Sequence, residues 1–244
     1  MVPSQGQPPF LSTQQMREVD RAMIEDYKIS LLQMMENAGR CLADLARSRF
    51  LGGDPRGQRV LVLAGTGGNG GGGLVCARRL HNWGASVRVL MTADSQRLGE
   101  VPRHQLSILE RMGLETDVAG DETDLPQSDL VVDALIGYSL KGAPSGVPAS
   151  LIRGANSQTA PVLSLDVPSG VDTTAGTVYD PSVRATGTMT LALPKEGLQT
   201  PEARGAVGEL YLADISVPPS LYAGPNLGLD VGPLFHAADV IRIW

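Results

Sequence analysis

Residues 65–73 read Gly-Thr-Gly-Gly-Asn-Gly-Gly-Gly-Gly, directly after the apolar run Val60-Leu61-Val62-Leu63-Ala64. A short run of this kind is typical of a strand that is covered on both faces of a parallel sheet. Residues 74–83 have the pattern of a helix. This order predicts a strand-to-helix loop over residues 65–73, in which glycine backbone and the free N–H groups of the helix take the phosphates of a nucleotide-like ligand. A floppy glycine linker is disfavoured because strand and helix adjoin it directly.

Strand and helix patterns continue to alternate along the chain. Two helices begin at Ser12 or Thr13 and at Ser30, and core packing is favoured over a ligand groove for their methionines. Further strands are predicted over residues 86–91, 115–118, 130–134, 162–166, 188–193 and 209–212, with helices over 103–112 and 149–155. The pattern predicts an α/β, Rossmann-like, mainly parallel sheet with helices on both faces and two N-terminal helices before it. We expect residues 1–10 to be flexible and residues 11–244 to form one domain.

Composition excludes several classes of function. The net charge of -6 without a basic run argues against a nucleic-acid surface. Cys41 and Cys76 lie in helical patterns and are predicted to be buried apolar residues rather than disulfide or zinc ligands. No secretory signal and no apolar stretch of membrane length are visible, so a cytoplasmic protein without a membrane partner is expected.

Two further predicted strands end in carboxylates, at Asp133 and Asp166. Ligands of open parallel sheets bind beyond the carboxyl ends of the strands. A carboxylate that ends a buried strand needs a cation, donors or a proton, although capping of the following turn is an alternative. The turn after Asp166 presents Ser169. Three such strand ends in one sheet favour a shared pocket. A Ser-His-Asp hydrolase is disfavoured because no Gly-x-Ser-x-Gly elbow occurs.

Taken in order, these motifs resemble the NAD(P)HX epimerase family, also called the YjeF N-terminal domain or apolipoprotein A-I-binding-protein family. The resemblance extends from about Leu11 to Pro218. It rests on Met16 and Asp20, on Leu32-Gln33-Met34-Met35-Glu36-Asn37-Ala38-Gly39 (family L-x-x-M-E-N-A-G), on the glycine run, on Val132-Asp133-Ala134 with Gly137, on Asp166-Val167-Pro168-Ser169-Gly170-Val171-Asp172, and on Pro194-Lys195-Glu196-Gly197-Leu198. The family's loop usually reads G-x-G-N-N-G-G-D-G, so Gly68 and Gly72 depart from it.

The resemblance implies an isomerase that interconverts the R and S forms of hydrated NADH and NADPH (NADHX and NADPHX) at C6. It implies a potassium ion held by Asn69, Asp133 and Ser169. Asp166 is the candidate acid/base and Lys195 its electrostatic partner. The implied substrate contacts are Asp166 together with Gly68, Asn69, Gly70, Gly71, Gly72, Gly137, Tyr138, Ser139, Leu140, Lys141, Gly142 and Ala143. A homodimer through the apolar face of the first two helices is a further expectation, as is the absence of the dehydratase half of the bifunctional members.

Two other functions stay open. Gly68 and Gly72 remove side-chain contacts to a ligand and add backbone freedom. Either the loop backbone, Asp133 and Asp166 suffice for turnover, or the chain is a non-catalytic nucleotide-binding or scaffold module, as is a related domain of an mRNA-decapping scaffold. A nicotinamide-dependent dehydrogenase would need an acidic residue that ends the second strand. Asp94 is the nearest, a few positions late.

Overall fold

The computed structural model describes residues 8–244, which form eight strands and seven α-helices. The strands are β1 Arg59–Ala64, β2 Ser86–Met91, β3 Glu115–Val118, β4 Leu130–Ala134, β5 Val162–Leu165, β6 Gly187–Leu191, β7 Glu209–Ala213 and β8 Val240–Arg242. The helices are α1 Thr13–Glu25, α2 Leu31–Leu45, α3 Gly68–Asn82, α4 Glu100–Met112, α5 Gly146–Ser157, α6 Pro201–Val207 and α7 Pro219–Ala223. One π-helical turn, Ala46–Phe50, continues α2.

The strands form one sheet in the order β3-β2-β1-β4-β5-β6-β7-β8, and only the β7–β8 pair is antiparallel. Strands β1, β2 and β3 follow one another toward one edge of the sheet, and strands β4 to β8 follow one another toward the opposite edge. The carboxyl ends of β1 and β4 therefore flank the switch point, where such sheets bind ligands. Asp133 pairs in register with Leu63 of β1 and with Ser164 of β5, so the loops after the three strands begin at one edge.

Alternate residues of β1 face opposite layers, as a buried strand requires. Val60 and Val62 pack with the core of α2 and α3, and Leu61 and Leu63 pack with α5. Helices thus cover both faces, which confirms the predicted Rossmann-like α/β fold.

The predicted glycine loop is wrong over residues 68–73, because α3 begins at Gly68 with Gly67 as its N-cap. Close packing requires glycine here. A Cβ on Gly70 would lie 1.9 Å from the carbonyl oxygen of Gly65, and one on Gly71 would lie 2.4 Å from Sδ of Met35. The glycines let α3 approach β1 and α2, and the loop itself is only residues 65–67.

The two N-terminal helices begin as the sequence indicates. Ser12 and Gln15 form a reciprocal capping box, and Ser30 and Gln33 form a second one. Their inward-facing residues are buried, whereas four large apolar side chains near the α1–α2 turn remain exposed: Ile24, Tyr27, Leu31 and Leu32. The apolar stripes therefore pack mainly within the chain.

The C-terminal segment returns to the sheet through β8, which the sequence does not predict, and α6 and α7 are likewise unpredicted. Phe10 stacks on Trp244 with ring centroids 6.4 Å apart.

The predicted flexibility of residues 1–7 lies outside the described residues, and for residues 8–10 it stays a prediction. Cys41 and Cys76 are buried and unlinked, as expected. Within residues 8–244, no helix combines the length and apolar character needed to cross a membrane.

Candidate functional site

A cavity of about 110 Å³ lies at the switch point, between α1, α2, the start of α3 and the strand ends. Apolar side chains form most of its wall. Its polar side chains are Asp20, Asn69, Tyr138 and Asp166. The predicted acid/base and one predicted potassium ligand therefore share one cavity.

Asp166 follows β5 directly and is 3% exposed. Its φ of 68° is a left-handed conformation, which side chains other than glycine adopt at a cost of about 1–3 kcal/mol and which clusters at functional sites. Its Oδ2 accepts a hydrogen bond from the backbone N–H of Tyr138 at 3.3 Å. The sharp turn at Asp166 thus directs the carboxylate toward the loop after β4.

Lys195 is fully buried, and its Nζ donates to Oδ1 of Asp166. The same ammonium donates to Thr190 Oγ1 at 3.1 Å and to the carbonyl of Leu191 at 2.9 Å. All three protons of Nζ are therefore used. Such full satisfaction is what a buried ammonium requires.

Asp133 ends β4 without any exposed surface. Its Oδ1 accepts from Ser169 Oγ at 2.6 Å and from the N–H of Leu135 at 3.2 Å. Its Oδ2 accepts from Ser164 Oγ at 2.8 Å and from the N–H of Ser169 at 2.9 Å. Burial raises the pKa of Asp133, and the hydrogen bonds from Ser169 offset part of this effect. No salt bridge reaches Asp133 within the described part of the chain.

Asn69, in the first turn of α3, donates from Nδ2 to the carbonyl of Leu165 at 2.8 Å. A Cβ on Gly137 would lie 2.7 Å from Oδ1 of Asn69, so glycine is needed for this approach. Asn69, Asp133 and Ser169 offer amide, carboxylate and hydroxyl oxygens, the ligand types that hard cations prefer. A cation would also compensate the buried charge of Asp133, so the oxygen donor types of these residues suit the implied ion.

Tyr138 connects the strand-end loops with α1, because its hydroxyl donates to Oδ2 of Asp20. Burial raises the pKa of Asp20, and the hydrogen bond from Tyr138 and the charge of Lys195 lower it in part. The pKa of the Tyr138 hydroxyl is raised, first by burial and then by the charge of Asp20.

Only some of the predicted substrate contacts line this cavity, namely Gly68, Asn69, Tyr138 and Asp166. Gly70, Gly71 and Gly72 are buried inside α3, and Gly137 packs under Asn69. Farther along the loop after β4, the remaining predicted contacts lie outside the cavity wall: Ser139, Leu140, Lys141, Gly142 and Ala143. Their contact with substrate stays a prediction.

The cavity differs from the sequence prediction in two features. Met16, Met34 and Met35 are buried, as core packing predicts, and they also form part of the cavity wall, which makes the ligand-groove alternative partly correct. Asp20 lines the cavity although the sequence prediction of the site does not include it. Its spacing of four residues from Met16 places both on one helix face and is the signal that indicates it.

A larger cavity of about 360 Å³ lies near β7, α7 and the C-terminal segment, and no predicted site residue lines it.

Asp94, the acidic residue considered for a dehydrogenase, is exposed, and its Oδ1 accepts from the N–H of Gln96 at 2.9 Å. It therefore caps the short helical turn Ser95–Arg97 after β2.

Residues 31–197 match the family model described as YjeF-related protein N-terminus. The chain is 49% identical over 229 residues to an NAD(P)H-hydrate epimerase of Dehalogenimonas lykanthroporepellens, covering 93% of this chain and 90% of that protein. It is 35% identical over 221 residues to a bifunctional NAD(P)H-hydrate repair enzyme Nnr of Moorella thermoacetica, covering 88% of this chain and 42% of that protein.

Among solved structures, the chain is similar to the crystal structure of yeast ynu0, YNL200c. The TM-score is 0.79 at 23% sequence identity, and the match covers 96% of this chain and 99% of that chain. At this identity the likeness supports the fold.

Proposed function

The chain belongs to the YjeF-related protein N-terminus family, and from this membership we infer that it is an isomerase that epimerises hydrated NADH and NADPH, a repair of nicotinamide nucleotides. The high coverage of the epimerase from Dehalogenimonas lykanthroporepellens supports this activity. The observation that carries the proposal is the buried ion pair of Asp166 and Lys195 beside the switch-point cavity.

Epimerisation at C6 of the hydrated nicotinamide ring requires a proton transfer that Asp166 and Lys195 can support. The carbon carries a hydroxyl group and the ring nitrogen, so a change of configuration requires that one of its bonds breaks and forms again. A carboxylate beside the cavity can move the proton that accompanies this step, while the ring nitrogen supplies electrons. Asp166 is the acid/base in this proposal. Lys195 positions its carboxylate through their direct contact.

The size of the cavity limits what enters it. Pockets that enclose a drug-sized ligand measure about 300–1,000 Å³, so a cavity of about 110 Å³ takes a part of the substrate. We propose that the hydrated nicotinamide ring enters beside Asp166 and Tyr138. The phosphates would lie outside it at the N-terminus of α3, where Gly67 and Gly68 are exposed and backbone N–H groups are free.

We further propose that Asn69, Asp133 and Ser169 hold a potassium ion. The support is their set of oxygen atoms and the buried carboxylate of Asp133, which no cationic side chain of residues 8–244 pairs. When bound, the ion would supply the positive charge that this carboxylate lacks. Ser169 and Asn69 would then link the loop after β5 with the start of α3.

A homodimer in the cytoplasm is the final part of the proposal. The exposed apolar side chains near the α1–α2 turn, Ile24, Tyr27, Leu31 and Leu32, support a contact between two copies. Leu31 also lines the switch-point cavity, so this contact would lie beside the site.

The test is direct. The protein is incubated with pure R or pure S forms of NADHX and NADPHX, and the R/S composition is followed by chromatography against buffer alone. Interconversion faster than in buffer supports the epimerase. Binding without interconversion would instead favour the binding module, and hydride transfer to an added carbonyl compound would favour the dehydrogenase.

A further inference from the structure

Asp20 is a second carboxylate on the wall of the switch-point cavity. It lies one helical turn after Met16 on α1, and Met16 lines the same cavity. The element that carries it is separate from the strand ends that carry Asp166. The cavity therefore has one carboxylate on its helical wall and one on its sheet wall.

Tyr138 connects these two carboxylates. Its backbone N–H donates to Oδ2 of Asp166 at 3.3 Å, and its hydroxyl at the far end of the side chain donates to Oδ2 of Asp20. The two carboxylates are therefore bound at different ends of one tyrosine residue. Paired carboxylic acids that act on a substrate and a water molecule must leave room for both between them.

The surroundings of the two groups differ in charge. Asp166 has the ammonium of Lys195 in direct contact. Asp20 forms no salt bridge among residues 8–244, and burial raises its pKa, with the negative charge of Asp166 acting in the same direction. The other ionisable groups that face this region are Lys195, Tyr138 and Tyr222, and Arg17 on the same helix. Two carboxyl groups in such different environments are suited to the roles of acid and base.

We propose that Asp20 is a second catalytic residue and that Asp20 and Asp166 act as acid and base from the two walls of the cavity. This inference rests on the proposed epimerase function. In one direction Asp20 is the acid and Asp166 the base. In the other direction the roles are exchanged, because the opposite epimer presents its hydroxyl to the opposite wall.

The carboxylic acid of Asp20 gives its proton to the C6 hydroxyl, and the C6–O bond breaks as its electron pair leaves with a water molecule. The ring nitrogen's lone pair forms the C6–N double bond. A second water molecule adds to the other face of C6, that electron pair returns to nitrogen, and the carboxylate of Asp166 takes a proton from the added water. One water leaves and one enters, and nothing is oxidised or reduced. Proton exchange with solvent then returns Asp166 to the carboxylate and Asp20 to the acid for the next turnover in the same direction.

The first experiment compares Asp20→Asn with the wild type and with the matched control Glu25→Gln, which neutralises an exposed carboxylate on the same helix. We expect Asp20→Asn to lower kcat by about 10²–10⁴-fold, the usual contribution of a general acid, with little change in KM. Glu25→Gln should keep wild-type kcat. Wild-type kcat in a folded Asp20→Asn variant would overturn the inference, whereas an inactive wild type would refute the proposed function itself.

The second experiment does not depend on folding of that variant. Because the hydrogen bond from Tyr138 lowers the pKa of Asp20, Tyr138→Phe should raise this pKa and move the basic limb of the pH profile of kcat to higher pH.

A third experiment follows oxygen exchange. In wild-type protein in ¹⁸O-labelled water, each epimerised product should carry one ¹⁸O atom. An unmoved basic limb, or product without label, would overturn the proposal.

Discussion

Lys195, which is fully buried, donates from Nζ to Oδ1 of Asp166 across the ends of two neighbouring parallel strands. Asp166 directly follows β5, and Lys195 lies four residues beyond β6. The left-handed backbone of Asp166 turns its carboxylate toward this ammonium. Because neither partner has appreciable contact with solvent, the charge of each is balanced mainly by the other. The pair therefore stabilises the fold, in addition to the proton-transfer role proposed for Asp166.

A double-mutant cycle should separate these two roles. Lys195→Met leaves a buried carboxylate without its cation, which should lower the free energy of unfolding by about 3–5 kcal/mol. Adding Asp166→Asn should restore part of this loss, because the buried charge is then removed. Activity should stay about 10²–10⁴-fold down in every variant without Asp166.

Urea unfolding and the rate of R/S interconversion measure the two effects. Lys28→Met, at an exposed position, is the control and should resemble wild type. Strictly additive losses of stability for Asp166→Asn and Lys195→Met would show that the pair is not coupled.

Potassium should stabilise the wild-type protein. An ion present at ten times its dissociation constant adds about 1.4 kcal/mol, which corresponds to a rise in Tm of about 3–6 °C for a chain of this size. Thermal melts in KCl are compared with melts in choline chloride of equal ionic strength. Asp133→Asn should remove the difference between the two salts. Equal Tm values for wild type in both salts would refute the potassium site.

Gly70→Ala should destabilise the protein because its Cβ would meet the carbonyl oxygen of Gly65 at 1.9 Å. Backbone cannot move aside as a flexible side chain does, so we expect a loss of about 1–3 kcal/mol or more. Gly205→Ala in α6 meets open space and should be neutral or add about 0.4–1 kcal/mol. Chemical unfolding measures both variants. A Gly70→Ala variant of wild-type stability would contradict the close packing of α3.

The stability of wild type relative to Asp20→Asn should depend on pH. Burial raises the pKa of Asp20 above its ordinary value of 3.8, so folding favours the protonated form. This contribution is complete below pH 3.8 and is lost as the pH rises through the folded-state pKa. Unfolding free energies of the two proteins over this range should show the wild-type advantage shrinking with pH. A difference that grows with pH would mean that the pKa of Asp20 is lowered.

The proposed dimer predicts a defined effect of surface charge. Replacing Ile24 and Leu32 together by glutamate should give a monomer in sedimentation velocity, because both side chains belong to the exposed apolar group near the α1–α2 turn. Val118→Glu is the matched control. Val118 is 57% exposed and lies on β3, an edge strand of the sheet, outside the exposed apolar group. A wild-type protein that sediments as a monomer would refute the contact.

The sequence predicts most of the fold because its signals are local. Apolar runs such as residues 60–64 and 130–134 are bounded by turns, and Ser12 with Gln15 marks the start of α1 within four residues. The prediction of Asp133, Asp166 and Lys195 as site residues also rests on strand ends and ordered motifs. In contrast, β8 is a three-residue strand that exists only because it pairs with β7, and no local pattern reveals such a strand.

The α/β order, the family motifs and the polar strand ends can be read from the sequence, because they depend on periodicity and on residue identity at fixed positions. The three-dimensional packing shows that residues 68–73 belong to α3, because their glycines lie in close contact with Gly65, Met35 and Ala134 from other segments. It also shows that Asp20 stands opposite Asp166 at the two ends of Tyr138. Residues more than a hundred positions apart meet only when α1 packs against the ends of the strands.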